Sequence, residues 1–419
     1  MLQEISPLQF DNSFHPRAPQ PEDLVLCCDG DNVLVGQGDA LALPRAADVS
    51  GAAFTFLFTV GGQDIFLAHT LAPVMMPGFA YQSLSSLRRA QPKALAFAAA
   101  TGHQLYRWYR MRAHCGVCGT DVDAYVGKQP RGWTITYPFR MGHELSGVVV
   151  EAGAEVPTVK AGDAVVADGR LPCGYCYYCR RGLWSACQNA GYFSGGLAQY
   201  AAYPFANLVK VPAGITLEEA AFAEPLACVV NGQAKVDVAP GAVAVVIGDG
   251  PIGLMHAQML RHRGAYTVMV GLLDHRLAMA EQLGVNLALN PKKQDVLAAV
   301  REVSDGRGAD VVVNAAGSVN VLKQSIDLAA RRGHVLYFAA TLAPEVTLDL
   351  DLIHYKELRL VGSYDSTIAQ FEDALALIRA GVVQVKPLIS HRFGLDQVQE
   401  GFEIARRQEG LKVQVAHEA

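Results

Sequence analysis

The run VAVVIGDGPIGLMHAQML, residues 243–260, is a β-branched strand that ends in glycines and passes at once into a helical pattern. Gly248, Gly250 and Gly253 fall in the spacing G-x-G-x-x-G. Those glycines permit a tight turn, let the backbone approach a pyrophosphate and let the helix lie close on the strand. Alone the spacing is weak, but its context is specific. Beyond it, the strand-like runs YTVMVG, DVVVNAAG, HVLYFAA and LRLVGSY alternate with helical stretches such as HRLAMAEQLG. Ile252, Met255, Met259 and Leu260 recur on one helix face, as a helix laid on a sheet requires. A doubly wound parallel sheet that binds a dinucleotide is therefore expected over residues 236–365.

The cofactor turn comprises Gly248, Gly250, Pro251, Ile252 and Gly253. An acid that accepts the ribose hydroxyls is expected roughly 20 residues further on, where MVGLLDHRL offers Gly271 and Leu272. Neither can accept a hydrogen bond through its side chain. Asp274 is close by, whereas Gly271 leaves room for a 2′-phosphate with His275 or Arg276 as its partner. NAD and NADP both remain open, and Gly271→Asp would be expected to favour NAD.

Two cysteine patterns add a metal chemistry. CGYCYYCRRGLWSAC sets Cys173, Cys176, Cys179 and Cys187 at offsets of three, three and eight. Four thiolates close a tetrahedral shell, so this loop is expected to hold a structural zinc. MRAHCGVCGTD instead carries Cys115 and Cys118 with no second C-x-x-C at zinc-ribbon distance. A catalytic zinc needs about three ligands and an open position. Cys118, His143 and an acid, either Glu144 in MGHELSG or Glu224 in FAEPLACVV, can supply them. Thr120 would then hold the substrate oxygen and relay its proton, and Asp121 would orient a ligand from behind. Cys27, Cys28 and Cys228 read as buried core thiols.

A chain of 419 residues implies two or three domains. Residues 114–235 are short β-rich runs punctuated by glycine and proline, and residues 366–419 return to them after the dinucleotide domain. Residues 1–113 form a separate small α+β unit. With 51% hydrophobic and 18% charged residues the chain reads as compact α/β, not disordered or coiled coil. Its net charge of −5 is too dispersed to steer it to nucleic acid or an anionic membrane. The first 25 residues lack a basic-then-apolar signal, and no apolar run approaches the roughly 18 residues a membrane span needs. A cytoplasmic protein with a small-molecule partner is expected.

From about Cys115 onward the chain resembles the zinc-containing medium-chain dehydrogenases, the alcohol and polyol dehydrogenase family. CGVCGTD, MGHELSGVVVEAG, KAGDAVV, the four-cysteine loop, AEPLA and GDGPIG follow that family's order. The AEPLA glutamate is similar to the sorbitol, iditol and threonine dehydrogenase branch. The resemblance implies a GroES-like β-barrel catalytic domain beside the Rossmann sheet, a homodimer or homotetramer, and one catalytic and one structural zinc. It further implies that Cys118, His143, Glu144 and Glu224 line the catalytic zinc, that Thr120 contacts the alcohol, and that a secondary alcohol is oxidised with NAD or NADP. Asp123 departs from it, standing where many relatives carry a histidine that ends the proton relay. Residues 1–119 instead resemble the N-terminal region of Nudix NADH pyrophosphatases, ending at the first knuckle of their zinc ribbon. The glutamate-rich Nudix box is missing, so hydrolysis of a phosphoanhydride is not expected. The barrel strands that would precede CGTD are absent or replaced, and the rival reading is an NAD(P)- and zinc-binding fusion protein that has lost turnover.

Overall fold

The computed structural model of the chain describes residues 10–11, 17–29, 32–38, 40–70, 73–87, 90–109, 113–128, 140–340 and 345–417. Two compact units meet in the sequence between residues 111 and 112.

In the first unit, Ala53–Val60 and Gln63–His69 form an antiparallel hairpin. Its two-residue turn is Gly61-Gly62 with φ of 59° and 79°, a left-handed pair that glycine adopts without steric cost. Phe10–Asp11 pairs with one side of this hairpin and Leu24–Leu26 with the other. Cys28–Asp29, Asn32–Gly36 and Phe79–Ser83 make a second, antiparallel sheet. The alanine-rich helix Lys93–Tyr109 follows, a composition with little side-chain entropy to lose. Its Ala98 and Ala99 are buried in a core with Leu26, Phe58 and Leu67. Gly102 stands within the helix where a Cβ would lie 1.8 Å from Leu26 Cδ1, so glycine permits the close contact of helix and strand.

Among the described residues the second unit contains two six-stranded sheets and a small antiparallel pair, Arg170–Leu171 with Gly191–Tyr192. One six-stranded sheet has the order Leu208–Lys210, Ala164–Ala167, Glu144–Val148, Ala113–Val117, Lys412–His417, Ile389–Gly394. The C-terminal strand thus lies beside Ala113–Val117, joining the end of the chain to the start of the unit. The other sheet is wholly parallel, in the order Leu287–Leu289, Tyr266–Val270, Val243–Ile247, Ala309–Asn314, Ala329–Tyr337, Arg359–Gly362. This is the Rossmann arrangement, with the fingerprint strand at the point where the strand order reverses. All five residues of Val243–Ile247 are buried, as a central strand covered on both faces must be. Ala244 and Val246 face a core with Met255 and Leu260, while Val245 and Ile247 face another with Val268 and Val312. Leu287–Leu289 is a strand that hydrophobic periodicity does not pick out, because three residues are too few to carry a period. Among the described residues no helix is long and apolar enough to cross a membrane.

Candidate active site

Cys118 ends the loop after Ala113–Val117 and precedes the helix Gly119–Tyr125. Asp121, in the first turn of that helix, is buried and its carboxylate ties two loops together. Its Oδ2 accepts from the Cys118 N–H at 3.1 Å, and its Oδ1 accepts from the Gly142 N–H at 2.9 Å. This brings His143 to Cys118, with Nε2 3.6 Å from Sγ, while Nδ1 lies 3.8 Å from Asp121 Oδ1. One imidazole nitrogen faces the thiol and the other a buried carboxylate, the arrangement by which a second residue orients a metal ligand. Cys118, Asp121 and His143 form a group able to hold a metal ion.

The electrostatics of the group draw positive charge. Burial lifts the Cys118 thiol to about 11. Burial likewise lifts the Glu224 carboxyl, at the start of the helix Ala223–Gln233, to about 7. Burial alone would lower His143, yet the Cys118 sulfur and the Asp121 and Glu224 carboxylates hold it well above its ordinary value. Thiolate, carboxylate and imidazole stay ionised or neutral as ligands only if a cation supplies the charge that burial withholds, so the donor set fits zinc. Thr120 is half-buried in the first turn of the Gly119–Tyr125 helix.

Glu144 differs from its expected role. Its carboxylate is buried and paired with the Lys412 ammonium, so it is committed to a cation that the protein itself provides. Nothing around residue 144 signals this, because Lys412 lies 268 positions away on the returning strand. Cys115 is fully buried and lies outside the group.

The four-cysteine loop closes on itself. Cys173 Sγ lies 3.9 Å from Cys179 Sγ and Cys176 Sγ lies 4.0 Å from Cys187 Sγ. Tetrahedral zinc with Zn–S of about 2.3 Å spaces its sulfurs by about 3.8 Å. Backbone N–H groups of Cys179 and Gln188 pull the Cys176 thiol down to about 6, and the N–H of Cys173 lowers Cys187. Burial raises Cys179 to about 12, so the loop lowers two of its thiols and not all four, and it is the spacing of the four sulfurs that fits a structural zinc.

At the glycine turn, Gly248 has φ +125° and a Cβ there would stand 2.8 Å from Ala315 O. A Cβ on Gly253 would stand 1.8 Å from Gly248 O. A Cβ on Gly250 would meet nothing within 4 Å, so this side of the turn is open. That open cradle, with the N-terminus of Pro251–His262 behind it, fits a pyrophosphate. Gly248, Gly250, Pro251 and Ile252 line a cleft of about 880 Å³ that is also lined by Cys118, Asp123, Arg276 and Lys412. The metal group and the dinucleotide turn therefore open onto one space.

The ribose end differs from expectation in three ways. Gly271 leaves no room, since a Cβ there would stand 2.5 Å from the Cβ of Asp249. Asp274 is not a ribose acceptor in waiting: exposed, it takes hydrogen bonds from Asn290 and Lys293 and does not line the cleft. Arg276 lines the cleft but is anchored, its Nη2 donating to the carbonyl oxygens of Gln408 and Gly410. Neighbouring His275 is exposed. Asp249 was visible in the sequence as an acid inside the fingerprint; what it touches was not.

Residues 111–213 match the model of the alcohol dehydrogenase GroES-like domain, and residues 251–380 match that of the zinc-binding dehydrogenases. A sorbitol dehydrogenase of Halalkalibacterium halodurans is 33% identical over 307 residues, which is 72% of this chain and 88% of that protein. A D-arabitol-phosphate dehydrogenase of Enterococcus avium is 30% identical over 311 residues, again 72% of this chain and 88% of the relative. Among solved structures, a zinc-binding dehydrogenase of Sinorhizobium meliloti bound to NADP superimposes with a TM-score of 0.68 at 29% identity, covering 73% of this chain and 91% of that one.

Proposed function

The chain belongs to the zinc-binding alcohol dehydrogenases with a GroES-like domain, and from that membership we propose that it oxidises a secondary alcohol of a polyol or sugar alcohol to a ketone, reversibly, with a nicotinamide coenzyme. Zinc, when bound, supplies a Lewis acid that lowers the pKa of the alcohol, and the coenzyme supplies the hydride acceptor. Cys118, His143 and Glu224 are assigned to hold the metal. Asp121 Oδ1 faces Nδ1 at 3.8 Å and leaves Nε2 turned toward Cys118 Sγ, from where it would ligate the metal, and two backbone hydrogen bonds hold the Asp121 carboxylate in place. Thr120, two residues beyond the thiolate, is assigned the substrate hydroxyl and relays its proton, accepting the substrate's proton while giving up its own hydroxyl proton to the next acceptor toward water. Asp123 lines the cleft and offers a carboxylate from which the proton can reach water. The Glu144–Lys412 pair sets the field beside the metal group without adding net charge. Gly248, Gly250 and Gly253 hold the coenzyme pyrophosphate, with Pro251 and Ile252 beginning the helix behind it. Cys173, Cys176, Cys179 and Cys187 hold the second zinc, away from the chemistry.

One observation carries the proposal: Cys118 and the glycine turn line the same cleft. Absorbance at 340 nm over a panel of pentitols, hexitols, their phosphates and vicinal diols, with each coenzyme, tests it. At least one of these should be turned over, and Cys118→Ser should lower kcat by about a thousandfold or more while the melting temperature stays within a few degrees. Turnover of none of them, or full activity in Cys118→Ser, would refute the assignment.

A further inference from the structure

Asp249 sits between Gly248 and Gly250, in the middle of the dinucleotide turn. Its side chain reaches across to the end of the neighbouring strand Tyr266–Val270, where Oδ2 accepts the N–H of Leu272 at 2.8 Å and that of Leu273 at 2.9 Å. That is the place from which a dinucleotide-binding sheet usually sends an acid to the ribose. Here the position holds Gly271, and a Cβ on it would lie 2.5 Å from Asp249 Cβ and 2.6 Å from Asp249 Oδ2. The carboxylate has therefore moved from one strand end to the adjacent turn, and the glycine is needed to admit it. Among the described residues Asp249 Oδ1 has no backbone hydrogen-bond partner, and it lies 3.7 Å from Arg276 Nη1. Both residues line the cleft.

We propose that Asp249 is the residue by which this protein recognises the adenosine ribose and selects NAD over NADP. The inference rests on the reading of the cleft as a nicotinamide-coenzyme site. A ribose diol offers hydroxyl donors to Oδ1, whose acceptor capacity is not consumed by the two N–H groups on Oδ2. A 2′-phosphate in the same place would set a second anion against the carboxylate. Arg276 does not rescue it, because its Nη2 is held by the carbonyls of Gln408 and Gly410 and its Nη1 already faces Asp249. Specificity thus comes from an added repulsion as much as from the diol contact. The glycine at 271 is consequently not a signature of NADP binding in this chain.

Binding, not turnover, gives the test. Dissociation constants for NADH and NADPH are measured by fluorescence titration on the zinc-loaded protein, with melting temperatures recorded alongside. The native chain should bind NADH at least tenfold more tightly than NADPH. Asp249→Asn retains a carbonyl oxygen for the Leu272 and Leu273 N–H groups while removing the charge, and should reduce that ratio by tenfold or more. Gly271→Asp should weaken both coenzymes, whereas Asp249→Gly/Gly271→Asp, which clears the space first, should restore the preference for NADH. An unchanged ratio in Asp249→Asn, or tighter NADPH binding by the native chain, would overturn the inference. Binding of neither coenzyme by the native chain would overturn the dinucleotide reading beneath it as well.

Discussion

Replacing Lys412 with methionine isolates the energetics of the buried ion pair beside the metal group. The Lys412 and Glu144 side chains are 6% and 5% exposed, so water cannot screen the charge that remains when its partner is removed. Burial opposes the ammonium, yet the carboxylate of Glu144 and the nearby Cys118 sulfur raise the Lys412 pKa above its ordinary value, so the ammonium keeps its charge at neutral pH. Packing leaves no slack for the carboxylate to turn toward solvent: a Cβ on Gly116 would stand 2.4 Å from both Glu144 Oε2 and Lys412 Cε. Breaking a pair of this kind from one side costs about 3–5 kcal/mol, because an unpaired charge stays behind. With an unfolding entropy of about 2.1 cal/mol/K per residue, a unit of roughly 300 residues changes by about 0.6 kcal/mol per degree, and Lys412→Met should melt about 5–8 °C lower. The double variant Glu144→Gln/Lys412→Met leaves no charge behind and should return to within about 1–2 kcal/mol of the native chain. Scanning calorimetry on zinc-loaded and chelator-treated samples separates this effect from metal loss. A drop smaller than about 1.5 °C in Lys412→Met, or a double variant no more stable than the single one, would refute the reasoning.

Metal analysis should return two zinc ions per chain. Cys176→Ser should lose one of them and lower the melting temperature by several degrees, since a closed thiolate site contributes folding energy directly, whereas a single zinc unaffected by Cys176→Ser would contradict the four-cysteine assignment. Burial raises the Asp168 carboxyl from its ordinary value of 3.8 to about 6, so the native state binds more protons than the unfolded chain between those values. The stability this group contributes is therefore full below about pH 4 and is lost as pH rises through about 6. Asp168→Asn keeps an oxygen for the Arg170 N–H, now bound at 2.8 Å, and should gain up to about 3 kcal/mol on the native chain at pH 7 while matching it near pH 4. Melting curves at both values check this, and a gain that does not change with pH would count against it.

The features that could be read from the sequence are those whose parts are close in the chain. Cys173, Cys176, Cys179 and Cys187 lie within one loop, so spacing alone sets their possible geometry. The glycine turn is a local backbone requirement between one strand and the next helix, and the alternation of buried strands with amphipathic helices imposes a parallel sheet around it. Cys118, His143 and Glu224 were candidates by residue type and motif, and the fold brings the first two together with Asp121.

Register decided the rest. Whether Glu144 meets a metal or a lysine depends on Lys412–His417 entering the sheet beside Ala113–Val117, an event 268 residues downstream that leaves no mark near Glu144. Whether Gly271 is an empty place or a filled one depends on the pairing of Ile247 with Val270, which aligns two strand ends and lets Asp249 cross between them. The sequence by itself determined which chemistry the chain carries, because ligand types and turn geometry are short-range properties. Only the tertiary structure decided which carboxylate serves which purpose, because a charge buried in a protein takes its role from the nearest opposite charge or donor, and that neighbour is supplied by the fold.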